Sequence, residues 1–263
     1  MLEAVFDVPL GLSGPVLVLG LVAFALGGLR LVRRRVLPRL RISEADSEFS
    51  GSLMQAVMVF YGLAVALIAV SVWQSYDDVA KLVTHESSAI AALHRDVSGY
   101  PASERALLQS ELRDYVRFII DEAWPQQRRG LVPVGAERLL ERFEDTLIAF
   151  EPATEGQKLL HAEALRAFND VVKARELRLD AVTTGLPGVM WIVVLAGACI
   201  GLGAAFFFKV EDGRLHAIQV TLLAVFVGLV IFMILALDRP FRGDLGLKPE
   251  PYELVYAQMT QPQ

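Results

Sequence analysis

The residues best able to carry out catalysis are scattered along this chain rather than grouped. Its four histidines are His85, His94, His161 and His216. They show none of the close spacings, such as HExxH, that place two ligands on one zinc ion. His85 and His94 with Asp96 form the best candidate, but solvated positions on a helix face explain them better. We predict no metal site.

Carboxylate pairs offer no better route to acid–base chemistry. Asp121–Glu122 and Glu144–Asp145 are adjacent in sequence, and adjacent residues of a helix point to different sides. Glycine-rich loops that cradle phosphate groups are also missing, because most glycines fall in apolar stretches or isolated breaks. We predict that the protein is not an enzyme and binds no cofactor.

Charge and cysteine content argue against two further classes. The net charge of −5 gives no overall positive field, so we predict no nucleic-acid partner. Cys199 is the single cysteine and lies in an apolar stretch, which excludes a disulfide framework within one chain. We expect it to be a small packing residue.

Four apolar stretches dominate the chain, at residues 8–29, 51–73, 186–208 and 216–237. About 20 helical residues cross a hydrocarbon core of about 30 Å, so each stretch is long enough to span a membrane. We predict an all-α, polytopic membrane protein with four transmembrane helices. A helical-bundle domain is inserted between the second and third. The predicted divisions are 8–73, 74–185, 186–237 and a C-terminal tail at 238–263.

The second apolar stretch is the most polar of the four, and polar groups at membrane depth usually face protein or water. Gln55, Gly62, Ala66 and Ala69 follow helical spacing and combine one amide with small side chains. We interpret them as candidates for lining a pore. The competing interpretation is that the same face packs against the third span of its own subunit.

Small residues recur at intervals of four in two other spans. Gly197, Gly201 and Ala205 share a face of the third span, and Ala23 and Gly27 share one of the first. Such faces allow close helix approach, where van der Waals contact replaces the missing hydrophobic drive. We predict helix packing along both faces.

A basic cluster follows the first span and contains Arg30, Arg33, Arg34, Arg35, Arg39 and Arg41. Arginine-rich short loops favour the cytoplasm, so we predict that loop 30–50 is cytoplasmic and the helical domain faces outward. Arg33, Arg34 and Arg35 are candidates for binding anionic lipid headgroups. A solvated connector with no specific partner is the alternative.

The insert shows helical periodicity without β-type alternation. The second span is predicted to continue to about Ser98, and Ser103 to cap the next helix. Trp124–Pro125 should end that helix, since the residue before proline disfavours the α region. Thr154 with Gln157 fits a capping box.

Three motifs link these elements to a known family: LDRPFRG at 237–243, VWQSYDD at 72–78 and WP at 124–125. Together they resemble the bestrophin-like integral membrane proteins of bacteria, four-span proteins of unestablished function, over about residues 50–255. The matching residues are Trp73, Gln74, Asp77, Trp124, Pro125, Asp238, Arg239, Pro240, Phe241 and Arg242.

That family is remotely similar to bestrophins, pentameric anion channels that carry an Asn-Pro-Phe-Gly run after their last span. Pro240–Phe241 fits this run, but Arg239 replaces the Asn and Arg242 intervenes before Gly243. The acidic run that clasps calcium in animal bestrophins is absent here. The resemblance therefore does not extend to calcium gating.

The resemblance implies an oligomeric membrane channel for anions in a bacterial inner membrane, a homo-oligomer of five copies by analogy. The alternative is a non-conducting membrane scaffold or sensor whose helical domain binds a partner. Bestrophins place the corresponding domain in the cytoplasm, which contradicts the orientation that the arginine cluster predicts.

Overall fold

The computed structural model describes residues 10–39, 44–208, 212–243 and 245–261, and these residues contain helices and no strands. The predicted start of the first span at residue 8, and Arg41 of the basic cluster, lie outside them. The helices are α1 (Leu10–Leu31), α2 (Glu44–Val97), α3 (Ala102–Phe118), α4 (Trp124–Gln127), α5 (Ala136–Ile148), α6 (Glu155–Ala181), α7 (Gly188–Ala205), α8 (Gly213–Leu237) and α9 (Glu250–Thr260). The all-α prediction is confirmed.

The chain divides into two compact units. The first comprises Met1–Gln74 and Gly185–Asp238, and the second comprises Ser75–Thr184 and Arg239–Gln263. The residues after Asp238, which the sequence suggests are a tail, therefore group with the helical insert. We call these the membrane unit and the helical unit.

Among the described residues, four helical segments are long and apolar enough to cross a bilayer. Three of them lie wholly in the membrane unit, and the second begins there and continues into the helical unit. These segments are Gly11–Arg39, Gly51–Val97, Gly188–Ala205 and Gly213–Leu237. The predicted number of four spans is confirmed. The first segment leaves α-helical geometry at its end, through a π turn at Val32–Val36 and a 3₁₀ turn at Leu37–Arg39.

Glycines allow the first and fourth spans to approach closely. A Cβ atom at Gly14 would lie 3.0 Å from the Phe232 ring, and one at Gly228 would lie 3.2 Å from the Val18 side chain. The predicted pair Ala23 and Gly27 is instead exposed within the chain. The packing face of the first span lies on the opposite side of the helix, where Ala25 and Leu29 are buried.

The helical unit is built from the second half of α2 with α3, α5, α6 and α9. Its core takes residues from all five helices, including Leu93, Leu112, Phe143, Phe168 and Tyr252. The helix that continues from the second span ends at Val97, as predicted to within a residue. The predicted capping box is also confirmed, because Gln157 N donates to Thr154 Oγ1 and the Gln157 side chain accepts from Thr154 N.

Two predicted helix boundaries in this unit are wrong. Ser103 is not the N-cap: α3 begins at Ala102, and the carbonyl of Pro101 accepts the first helical bond from Arg105 N. Trp124–Pro125 does not end a helix either. A π turn at Ile119–Ala123 carries the backbone into α4, and Pro125 lies in the first turn of α4, where its missing N–H leaves no bond unmade.

Candidate functional site

The pore-lining candidates lie on a side of the second span that the described residues leave largely uncovered. Gln55, Gly62 and Ala66 are exposed, and a Cβ atom at Gly62 would meet no atom within 4 Å. Ala69 is partly buried and packs beside the core of the membrane unit. Three of the four candidates are therefore free to contact another molecule.

The third span packs on a neighbouring side of the second. The Tyr61 hydroxyl donates to the Val194 carbonyl at 2.8 Å, and a Cβ atom at Gly201 would lie 2.7 Å from the Met58 sulfur. Successive helical residues are about 100° apart, so Tyr61 lies about 100° from Gly62 around the helix and Met58 about 40° from it. The third span therefore borders the face that carries Gln55 and Gly62, and it leaves both of these residues exposed.

The glycine face of the third span makes the closest contact in this pair. A Cβ atom at Gly197 would overlap the ring of Tyr61. By contrast, a Cβ atom at Gly203, on the same helix, would meet nothing within 4 Å. The predicted interval of small residues at Gly197 and Gly201 thus marks the side of the third span that contacts the second.

The family-motif residues divide by burial. Trp73, Gln74, Asp77 and Pro125 are exposed, and Asp77 pairs with Lys81 at 2.7 Å. Arg239 and Arg242 are partly buried. The buried members are Trp124, Asp238, Pro240 and Phe241.

Within the helical unit, Trp124 brings two of the three motifs together. Its ring centroid lies 5.5 Å from that of Phe241 and 5.7 Å from that of Tyr252. Its indole N–H donates to the Leu247 carbonyl at 3.2 Å. The third motif joins through Tyr76, whose hydroxyl donates to the Leu245 carbonyl at 3.0 Å. Residues from all three motifs, although far apart in sequence, therefore lie against the segment that follows the fourth span in the chain.

The first two motif residues after Leu237 bind backbone groups. In the membrane unit, Asp238 accepts from Leu186 N at 2.5 Å and from the Trp191 indole at 3.4 Å. In the helical unit, the Arg239 guanidinium donates to the carbonyls of Thr183 and Thr184 at 2.8 and 3.3 Å. Both side chains satisfy polar backbone groups in the segment between α6 and α7, which is the role expected where helices end.

A buried carboxylate that the sequence analysis missed lies at the centre of the helical unit. Glu86 is 0% exposed and accepts hydrogen bonds from Tyr115 and Tyr252, both at 2.9 Å. The guanidinium of Arg178, itself 1% exposed, donates to both carboxylate oxygens at 2.5 and 3.2 Å. These four residues, from α2, α3, α6 and α9, are called the Glu86 cluster below.

Burial and neighbouring groups together shift the pKa values of the two tyrosines and the arginine in this cluster. It raises the pKa of the Tyr115 and Tyr252 hydroxyls well above 10, and the adjacent Glu86 charge adds to the effect. Burial alone would lower the pKa of Arg178, but Tyr252 and Glu86 beside it outweigh burial and raise it. Near neutral pH the tyrosines therefore remain hydrogen-bond donors and the arginine remains charged.

Comparison with known proteins identifies the family of this chain. A family model described as the bestrophin-like domain matches residues 19–252, which is most of the chain. The chain belongs to the bestrophin-like family. No curated protein and no solved structure matches it.

In this bestrophin-like chain, heptad spacing is the signal that would have revealed the Glu86 cluster. Buried positions of α2 follow intervals of four and three, and Glu86 fills the gap between Val83 and Ile90. Arg178 likewise lies in the series of buried positions of α6, which includes Phe168 and Val171. A charged residue at a core position of each of two helices predicts a buried pair.

The metal-binding candidates of this bestrophin-like chain do not assemble. Within the residues that the structure describes, no group of three or more His, Cys, Asp or Glu side chains is placed to hold a metal ion. Burial lowers the pKa of His94, and the nearby Arg113 adds to this effect. His161 instead bonds the Tyr100 hydroxyl at 2.8 Å.

Proposed function

We propose that this bestrophin-like protein is an oligomeric membrane channel for anions, with the second span lining the path. The observation that carries the proposal is the uncovered face of that span, with Gln55, Gly62 and Ala66 exposed. A conducting path forms only when this face from several copies surrounds an axis, so the proposal requires a homo-oligomer. Five copies are the number that the analogy with bestrophins supplies.

The chemistry of the second span supports anions as the cargo. Residues 51–74 contain no Asp or Glu, so no carboxylate on this stretch would repel an anion. The Gln55 amide offers N–H donors, which suit an anion. The small residues Gly62 and Ala66 allow copies to approach closely and define a narrow, mostly apolar passage.

Chloride flux from proteoliposomes tests this proposal. Ala66→Phe should remove most of the flux, because a ring at this position would fill the narrow part of the path. Leu67→Phe is the matched control: Leu67 is also exposed, but it lies about 100° further around the helix and should tolerate a ring. Gln55→Leu should change the preference for anions.

Absence of flux from the parent protein under every salt gradient would contradict channel function. The same helices would then be better explained by a non-conducting scaffold or sensor. Equal loss of flux in Ala66→Phe and Leu67→Phe would instead contradict the assignment of this face to the path.

For orientation in the cell (inner) membrane, we propose that the arginine-rich loop is cytoplasmic. Of the described cluster, Arg30, Arg34, Arg35 and Arg39 are exposed, as expected for residues that contact solvent or anionic headgroups. Arg33 is partly buried and lies beside Gly213. Because one span separates that loop from the helical unit, the helical unit faces outward.

Labelling of Leu159→Cys in a Cys199→Ser background should verify this orientation. Leu159 is 75% exposed, whereas Gln127, a polar residue of the same unit, is fully buried. A membrane-impermeant maleimide should label position 159 in intact cells, since the unit faces outward. Labelling only after lysis would place the helical unit in the cytoplasm and overturn the charge-based orientation.

A further inference from the structure

An exposed apolar loop stands out on the otherwise charged surface of the helical unit. Between α4 and α5, Leu131, Val132 and Val134 are 56%, 48% and 75% exposed. They directly follow Arg128 and Arg129, which are also exposed. Three aliphatic side chains next to two arginines are a combination that neither the core nor the family motifs require.

The fold holds this loop in place without using its side chains. Gly130 and Gly135 take positive φ angles of 74° and 111°, which turn the backbone at both ends of the apolar segment. Pro133, between the exposed valines, is buried and anchors the middle. Among the described residues, the Arg128 and Arg129 side chains have no acidic partner.

The loop lies at the end of the helical unit where the chain passes to and from the spans. A Cβ atom at Gly130 would lie 3.4 Å from the guanidinium of Arg242, five residues after the end of α8 at Leu237. Trp124, at the start of α4, packs on Phe241. Along the chain, Phe241 and Arg242 follow Leu237, the last residue of the fourth span, by only four and five residues.

We propose that this loop is a membrane-surface contact, with Leu131, Val132 and Val134 inserted among lipid headgroups and Arg128 and Arg129 bound to anionic phosphates. Aliphatic side chains gain free energy on leaving water for the acyl boundary. Arginines beside them complement the negative surface of an anionic leaflet. Their stems cover apolar surface while their charged heads remain at the phosphate level.

A lipid surface fits the loop better than a protein partner does. A stable protein interface engages about 20–30 residues a side, whereas the patch offers three aliphatic side chains. A bilayer needs no complementary shape, and a chain with four spans is always beside one. The charge of the flanking arginines matches anionic lipid.

The test compares two cysteines in the full-length Cys199→Ser protein, each labelled with an environment-sensitive dye. Val134→Cys reports on the loop. Leu159→Cys is the matched control, because both side chains are 75% exposed. Leu159 lies at the other end of the unit: its neighbour Leu160 packs on Gly99, past the end of α2, roughly 30 Å along α2 from Tyr76.

In proteoliposomes containing phosphatidylglycerol, the dye at position 134 should shift to shorter wavelength and be quenched by lipids that carry a shallow nitroxide. The dye at position 159 should be quenched only by aqueous iodide. Replacing both arginines with glutamine should lower the ratio of inserted to free loop by about fivefold for each arginine. For the parent protein, vesicles of phosphatidylcholine alone should lower the ratio of inserted to free loop to a similar extent.

Equal behaviour of the two dyes would overturn the proposal. Shielding of position 134 from iodide without quenching by nitroxide lipid would also overturn it, because another copy of the chain would then cover the loop. Neither readout depends on ion flux, so the result stands apart from that of the channel proposal.

Discussion

Replacing Glu86 with alanine is expected to lower the free energy of unfolding of the protein by about 3–5 kcal/mol. The change leaves the buried guanidinium of Arg178 without its counter-charge and removes the acceptor of two buried tyrosine hydroxyls. Chemical denaturation of the full-length protein in detergent, followed by circular dichroism, measures the loss. We expect a lower midpoint of the helical unit's transition.

Two further variants make this result specific. Glu141→Ala removes an exposed carboxylate from α5 and should change stability by less than about 0.5 kcal/mol. Glu86→Leu combined with Arg178→Met replaces the buried pair by apolar side chains and should recover much of the loss. A Glu86→Ala protein as stable as Glu141→Ala would show that the Glu86 cluster does not stabilise the fold.

Substitution of Gly197 by leucine is expected to separate the second and third spans. A side chain at this position would occupy the space of the Tyr61 ring and break its hydrogen bond to Val194. Overpacking of this kind costs about 1–3 kcal/mol, and the lost hydrogen bond adds to it. Thermal unfolding in nanodiscs should shift to lower temperature.

Gly203→Leu provides the comparison for this variant. It adds the same side chain to the same helix, where a Cβ atom would meet nothing within 4 Å. Its unfolding temperature should stay close to that of the parent. If both leucine variants unfold alike, the close contact between Gly197 and Tyr61 does not hold the spans together.

The sequence was sufficient to predict the helices because each has a strong local signal. Span length, the capping box at Thr154 and the apolar intervals of the insert are all properties of neighbouring residues. The wrong boundary at Trp124 has a local cause too. The preference against α geometry before proline is modest, and burial of Trp124 against Phe241 and Tyr252 outweighs it.

Long-range pairing was harder to predict. Tyr252 lies 166 residues from Glu86, and nothing in the short α9 segment indicates which core it enters. The pore candidates show a similar limit. Helical spacing places Gln55 and Gly62 on one face, but it does not identify the molecule that the face contacts. The observed contacts of Tyr61 and Met58 assign the third span to a neighbouring side.

Because α9 belongs to the helical unit, the core of this unit cannot be completed until α9 has been synthesised. Residues 75–184 leave the ribosome well before residues 239–261, and the two segments form one compact unit. Until the later segment is synthesised, Glu86 lacks the Tyr252 hydroxyl and Trp124 lacks the ring of Phe241. The core of the nascent insert therefore remains incomplete while the third and fourth spans are translated and integrated.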